Sequence, residues 1–280
     1  MSEQARARLG AALRAVWIMA AYLLVTSLFL LFAMVATPPS LGREPSPVAR
    51  ELFQSAGSAA ALMLIAGRFR KKGAHLSEAA GFAPAGMDRK EAALLFAAGV
   101  GCGLALTALL GLLPLPAQWL EAYDVASASA FAGEGRIVAA ALVVLFAPFC
   151  EELLFRGFLL RALMRGFSPT TSVVALSLVF GLMHAQPLWM AYAFLCGLLL
   201  GWLALLFDNL AAPMLLHAGI NITMLPGIFL RENAQYARVA SNPIALLLLL
   251  ALGGGVALYV LAGQARDKQA ARNGATGGPK

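Results

Sequence analysis

Charge is what this chain has least of. Of its 280 residues 60% are hydrophobic, and only 12% are Asp, Glu, Lys or Arg, about half the share usual in a soluble domain. The apolar residues fall in blocks near the roughly 20 residues that cross a bilayer. Such blocks are too long and too uniform for soluble core helices. The shortage of charge therefore excludes a pair of soluble domains and predicts an all-α, polytopic transmembrane helix bundle. The formal net charge is +7, yet the basic residues cluster between the apolar blocks, as topology signals and anionic-lipid contacts do. That distribution points to membrane lipids as partners and not to nucleic acid.

Other absences narrow the reading further. Cys102, Cys150 and Cys196 all lie in apolar runs and form no CxxC pair, so they read as small hydrophobes and not as a disulfide network. The run from Ala15 to Ala36, behind Arg6, Arg8 and Arg14, exceeds the about 7–15 apolar residues of a secretory signal. It predicts an uncleaved first span. The polar end of the chain carries no lipidation signal. No repeat relates the two halves, which argues against a transporter built on repeats. No His-Glu-x-x-His zinc helix and no Gly-x-Ser-x-Gly elbow occur. Tyr123-Asp124 lies outside the strong spans, and no second aspartate motif partners it.

The apolar blocks predict eight spans, near 15–36, 48–67, 91–113, 136–160, 169–188, 191–207, 211–230 and 243–262. The second is weakest, opening with Arg50, Glu51 and Gln54. Loop 37–47 is rich in Pro, Ser and Thr and should not be helical. The acidic, small-residue segment 114–135 is expected to hold a short helix lying on the membrane. The chain then divides into an N-terminal segment 1–14, a helical membrane domain 15–262 and a polar tail 263–280. With eight spans, 15 of the 21 basic residues fall on one side, with both termini and loop 68–90, and 5 on the other, Arg156 being inside a span. The basic side is cytoplasmic by the positive-inside rule, which predicts a multi-pass protein of the plasma or inner membrane with both termini cytoplasmic.

A few polar residues break the apolar pattern. In the fourth span, Val143–Pro148 and Phe149-Cys150 are followed directly by Glu151-Glu152 and then by Arg156. A charge at membrane depth costs about 2.5–3.5 kcal/mol on insertion scales. Glu152 and Arg156 are four apart and can pair on one helix face, so they read as a structural ion pair. Glu151, turned about 100° away, lacks that partner and adds cost without helping the pair. Pro148 frees a backbone carbonyl and should kink the helix. His75 sits in the basic loop and carries no signal. His184 comes late in the fifth span, in Phe180-Gly181-Leu182-Met183-His184. His217 and Asn221 share a face of the seventh. Taken singly, a membrane histidine or asparagine is often an interhelical hydrogen bond. Taken together, these groups must face one another or a wet cavity.

A carboxylate and an imidazole in a dry cavity can hold and deprotonate a water. A second imidazole and an amide on one helix face can donate hydrogen bonds to an oxyanion. That combination hydrolyses amides. The three motifs, Glu-Glu-x-x-x-Arg, Phe-x-x-x-His and His-x-x-x-Asn, in this order on membrane helices, resemble the CAAX-protease and bacteriocin-processing (CPBP or Abi) family, which includes the Rce1-type prenyl-protein endopeptidases. The resemblance covers roughly 90–230, the protease core. It implies an intramembrane endopeptidase in which Glu151 and His184 activate water, His217 and Asn221 form the oxyanion hole, and Glu152 and Arg156 support them. It implies a peptide or membrane-protein substrate, lipidated in the best-known cases. The family is often labelled metallopeptidase, and two histidines with a carboxylate can bind zinc or work without it. The resemblance leans towards the metal-free form. Two other classes stay open: a catalytically silent membrane binding protein such as a bacteriocin self-immunity factor, and a proton-coupled transporter using Glu151 and the histidines as a relay. Counted from one face, His184 lies about 16 residues into its expected span and His217 about 7, a depth gap of about 13 Å.

Overall fold

The computed structural model describes residues 2–37, 45–69, 80, 87–230 and 232–276. Most of loop 37–47, His75, Arg70, Lys71, Lys72, Arg231 and the end of the polar tail lie outside them. Long helices dominate the described residues, and no strand occurs among them. In chain order they are α1 (Glu3–Ala36), α2 (Pro47–Phe69), α3 (Arg89–Leu112), α4 (Ala117–Ala130), α5 (Arg136–Leu163), α6 (Pro169–Leu182), α7 (Pro187–Phe207), α8 (Ala211–Ile222), α9 (Leu225–Phe229), α10 (Ala234–Ala240) and α11 (Pro243–Thr276). Among the described residues, seven helical stretches are long and apolar enough to cross a membrane: α1, α2, α3, α5, α7, the joined stretch Ala211–Phe229, and Pro243–Asp267 of α11. The protein is a polytopic, all-α integral membrane protein.

Helix α6 is shorter than the span expected at 169–188. It has 14 residues, about 21 Å at 1.5 Å per residue, where a hydrocarbon core is about 30 Å thick. Its start is well specified: Ser168 caps it, accepting from the Thr171 N–H at 3.1 Å, and Pro169 takes the first turn, where a missing N–H costs nothing. Its end comes early because Ala185 adopts the left-handed conformation, φ 55°, which stops a right-handed helix. The next helix then begins at Pro187 and not at residue 191. Elsewhere the short helix expected within 114–135 is α4, and the polar tail is helical as far as Thr276.

The helices gather in two compact units, Met1–Ala83 with Ala117–Gly201, and Pro84–Pro116 with Trp202–Lys280. In the first, α1 lies against α2. The Tyr22 and Ser58 hydroxyls bond at 2.9 Å, and Gly57 lets α2 approach the backbone of Thr26. Helices α6 and α7 pack through Gly197 and Gly201, where a Cβ would press into Ser177 and Val173. This is the small-xxx-small spacing that lets membrane helices approach closely.

The second unit uses the same device. Gly99 and Gly103 of α3 face α8: a Cβ on Gly99 would overlap the Leu216 carbonyl, and one on Gly103 would stand 2.9 Å from the Ile220 carbonyl. Gly101, turned to another face of α3, meets Gly253 of α11. Asn209 starts α8 by accepting from the Ala211 N–H at 2.8 Å.

Candidate functional site

The acidic motif lies on α5, and α5 is not a uniform α-helix. Residues Leu142–Phe146 and Leu153–Leu159 form π-helical turns. In the first, the Ala147 N–H bonds the Leu142 carbonyl five residues back. The wider turn comes just before Pro148, which has no N–H to give and whose ring would crowd a regular turn. The expected proline distortion is therefore a widened turn. Glu151 and Glu152 stand between the two π segments, where such turns often accompany functional sites.

Arg156 holds this part of the first unit together. Its Nη1 donates to Glu152 Oε1 at 2.9 Å, and its Nη2 donates to the Gly197 carbonyl of α7 at 3.0 Å. Glu152 is 0% exposed and Arg156 4%. A buried pair of this kind is costly to break, about 3–5 kcal/mol if one partner is lost. The guanidinium also lies 4.9 Å from the Phe180 ring centroid and 5.8 Å from that of Phe155, within cation–π range. Glu151 is half-buried and lies in electrostatic reach of Tyr22 of α1, Glu51 of α2 and its neighbour Cys150.

Phe180 links the acidic motif to His184. Its ring packs edge-on against Phe155, with centroids 5.0 Å apart, and against the His184 ring at 4.9 Å. His184 is not inside a span. It sits in the turn after α6, half-buried, with Nδ1 2.7 Å from the Phe180 carbonyl oxygen. A carbonyl only accepts, so Nδ1 is the donor in this contact and Nε2 is the ring nitrogen it leaves unused. The same turn is tied down by Gln186. Its Oε1 accepts from the Leu188 and Trp189 N–H groups at 2.8 and 3.2 Å, capping α7, while its Nε2 donates to the Trp119 carbonyl of α4 at 3.1 Å. The rings of Tyr123 and Trp189 meet 5.6 Å apart beside this bond.

The other motif stands on α8 in the second unit. His217 is 6% exposed and Asn221 half-buried. Gly219, midway between them, points about 200° from each, and a Cβ there would overlap the Phe96 carbonyl of α3. The glycine face thus seats α8 on α3, and the His217–Asn221 face is turned away from that contact.

Each unit therefore assembles its own share of the expected residues: Glu151, Glu152, Arg156 and His184 in one, His217 and Asn221 in the other. The metalloprotease alternative finds no support in the donor set, because among the described residues no three His, Cys, Asp or Glu side chains gather to hold a metal ion. Sequence reasoning missed the Gly197 carbonyl as an acceptor for Arg156, the Gln186 tie and the glycine seats. The last had a visible signal in the spacings Gly99–Gly103 and Gly197–Gly201.

No curated protein and no solved structure matches the chain. Residues 133–223 match a family model, a narrower stretch than the 90–230 expected, and all seven motif residues fall inside it. The model is described as type II CAAX prenyl endopeptidase Rce1-like, and it is this family that the chain resembles over residues 133–223.

Proposed function

We propose that the chain is an intramembrane endopeptidase of the CAAX-protease type, in which Glu151 and His184 activate the water that cleaves a peptide bond. The observation that carries this is the contact of His184 with the Phe180 carbonyl. The Phe180 carbonyl at 2.7 Å takes the Nδ1 proton and leaves Nε2 free to accept one, as a general base requires. Water loses its proton to the Glu151–His184 pair, and its oxygen adds to the scissile carbonyl carbon. His217 and Asn221 donate hydrogen bonds to the oxyanion that forms. The intermediate collapses, the C–N bond breaks, and the leaving nitrogen takes the proton back. Glu152 and Arg156 touch no reacting atom and hold the scaffold.

The Rce1-like stretch supports a peptide substrate in a lipid environment at the level of the family. A lipidated C-terminal peptide and a cytoplasmic cleavage site, with both termini and loop 68–90 on that side, belong to the proposal. The test is to incubate the purified chain in detergent with libraries of prenylated and unmodified peptides and read the products by mass spectrometry. Defined cleavage products support the reading. Intact libraries from a well-folded protein would overturn it.

A further inference from the structure

Three arginines outside the candidate site converge on one cavity of the first unit. Arg14 comes from α1, Arg68 from the last turn of α2, and Arg165 from just beyond the end of α5. With Leu13, Trp17 and Phe69 they line a cavity of about 460 Å³. Among the described residues no Asp or Glu lines it. Three like charges do not gather for their own sake, because each raises the energy of the others. An anion between them removes that cost, and guanidinium forks match phosphate oxygens in paired hydrogen bonds.

The remaining lining says which kind of phosphate. Arg14 directly precedes the apolar run of α1, Arg68 lies in the last turn of α2 and Arg165 follows the end of α5, positions where a bilayer changes from hydrocarbon to headgroup. Beside them Leu13 is 59% exposed, Val16 64% and Trp17 42%, an apolar strip on α1 that leads from the cavity along the span. The aromatic wall is anchored inward: the Trp17 and Phe69 rings meet edge-on at 5.9 Å, and Phe69 stacks on Phe158 of α5 at 6.2 Å. A free phosphate needs the arginines alone. A lipid needs the arginines for its headgroup, an interfacial tryptophan, and an apolar path for its chains.

We propose that the cavity lined by Arg14, Arg68 and Arg165 binds the phosphate of an anionic phospholipid, whose acyl chains run down the Leu13–Val16–Trp17 strip of α1. This site stands whether or not the chain cleaves peptides. The test is native mass spectrometry of the full chain in mild detergent, titrated with phosphatidylglycerol and with phosphatidylcholine. The wild type should bind phosphatidylglycerol more tightly than phosphatidylcholine, by about tenfold or more. The triple variant Arg14→Gln, Arg68→Gln, Arg165→Gln should lose that preference. A charge-matched variant on exposed positions elsewhere, Arg89→Gln, Arg238→Gln, Arg266→Gln, should keep it. Equal loss in both variants, or in neither, would overturn the site. Displacement of the lipid by millimolar inorganic phosphate would also overturn it, by making the ligand a free anion. If the pocket triple does not fold, the single changes carry the test: each should weaken phosphatidylglycerol binding, and three unchanged affinities would refute the proposal.

Discussion

The guanidinium of Arg156 lies 4.9 Å from the ring centroid of Phe180. Through that contact the acidic motif of α5 and the histidine motif that ends α6 become one packed assembly. Glu152 anchors one side of the arginine and the Gly197 carbonyl another, while the Phe180 ring passes the contact on to His184.

Loss of one partner of the buried pair should unfold this assembly. Glu152→Gln leaves Arg156 buried without its carboxylate, and Arg156→Met leaves Glu152 without its cation. Either change should destabilise by about 3–5 kcal/mol, read as a lower melting temperature or poor yield in detergent. The double change Glu152→Gln with Arg156→Met should recover much of the loss, since replacing a buried pair by uncharged groups is often close to neutral. A double variant no better than the worse single would show that the charges do more than hold α5.

His184 is expected to act through Nε2 alone. His184→Asn keeps an N–H that can reach the Phe180 carbonyl but has nothing at the Nε2 position. Its melt should match the wild type, and peptide turnover should fall by about 10²–10⁴-fold. Full turnover from a folded His184→Asn protein would remove this imidazole from the chemistry.

Gly219 should tolerate no side chain. The Cβ of Gly219→Ala would overlap the Phe96 carbonyl, which is backbone and moves only with α3. Overpacking of this kind costs about 1–3 kcal/mol, so the melt should drop. Gly255→Ala, with nothing within 4 Å of its Cβ, should melt like the wild type and serves as the comparison.

The placement of lysine and arginine makes a topological prediction. Reporter fusions at both termini and within loop 68–90 should all report the cytoplasm, given the 15 to 5 basic bias of the eight-span reading. A reporter in loop 68–90 on the opposite side from the C-terminus would contradict it.

The membrane fold was legible because each apolar run is long and few charges interrupt it. Glu152–Arg156 was readable from spacing alone, since four residues on a helix return to the same face. The end of α6 was not. Leu182-Met183-His184 prolongs the apolar run without glycine, and Ala185 takes the left-handed turn that glycine usually signals. The depth gap expected between His184 and His217 was counted on that overlong span. The π turns were equally hidden, because a proline announces a disturbance and not its form. Gly99, Gly103, Gly197, Gly201 and Gly219 were in plain view, but their value lies in which carbonyl or side chain comes opposite, and only the folded backbone supplies that.

The central claim is that Glu151 takes the proton of the attacking water, and peptide turnover by Glu151→Gln tests it most directly. The change keeps the shape of the side chain, leaves the Glu152–Arg156 pair intact and removes the proton acceptor. The purified variant should melt with the wild type, and its turnover on any peptide the wild type cleaves should be lower by about 10²–10⁴-fold. A Glu151→Gln protein that melts normally and cleaves at the wild-type rate would contradict the account.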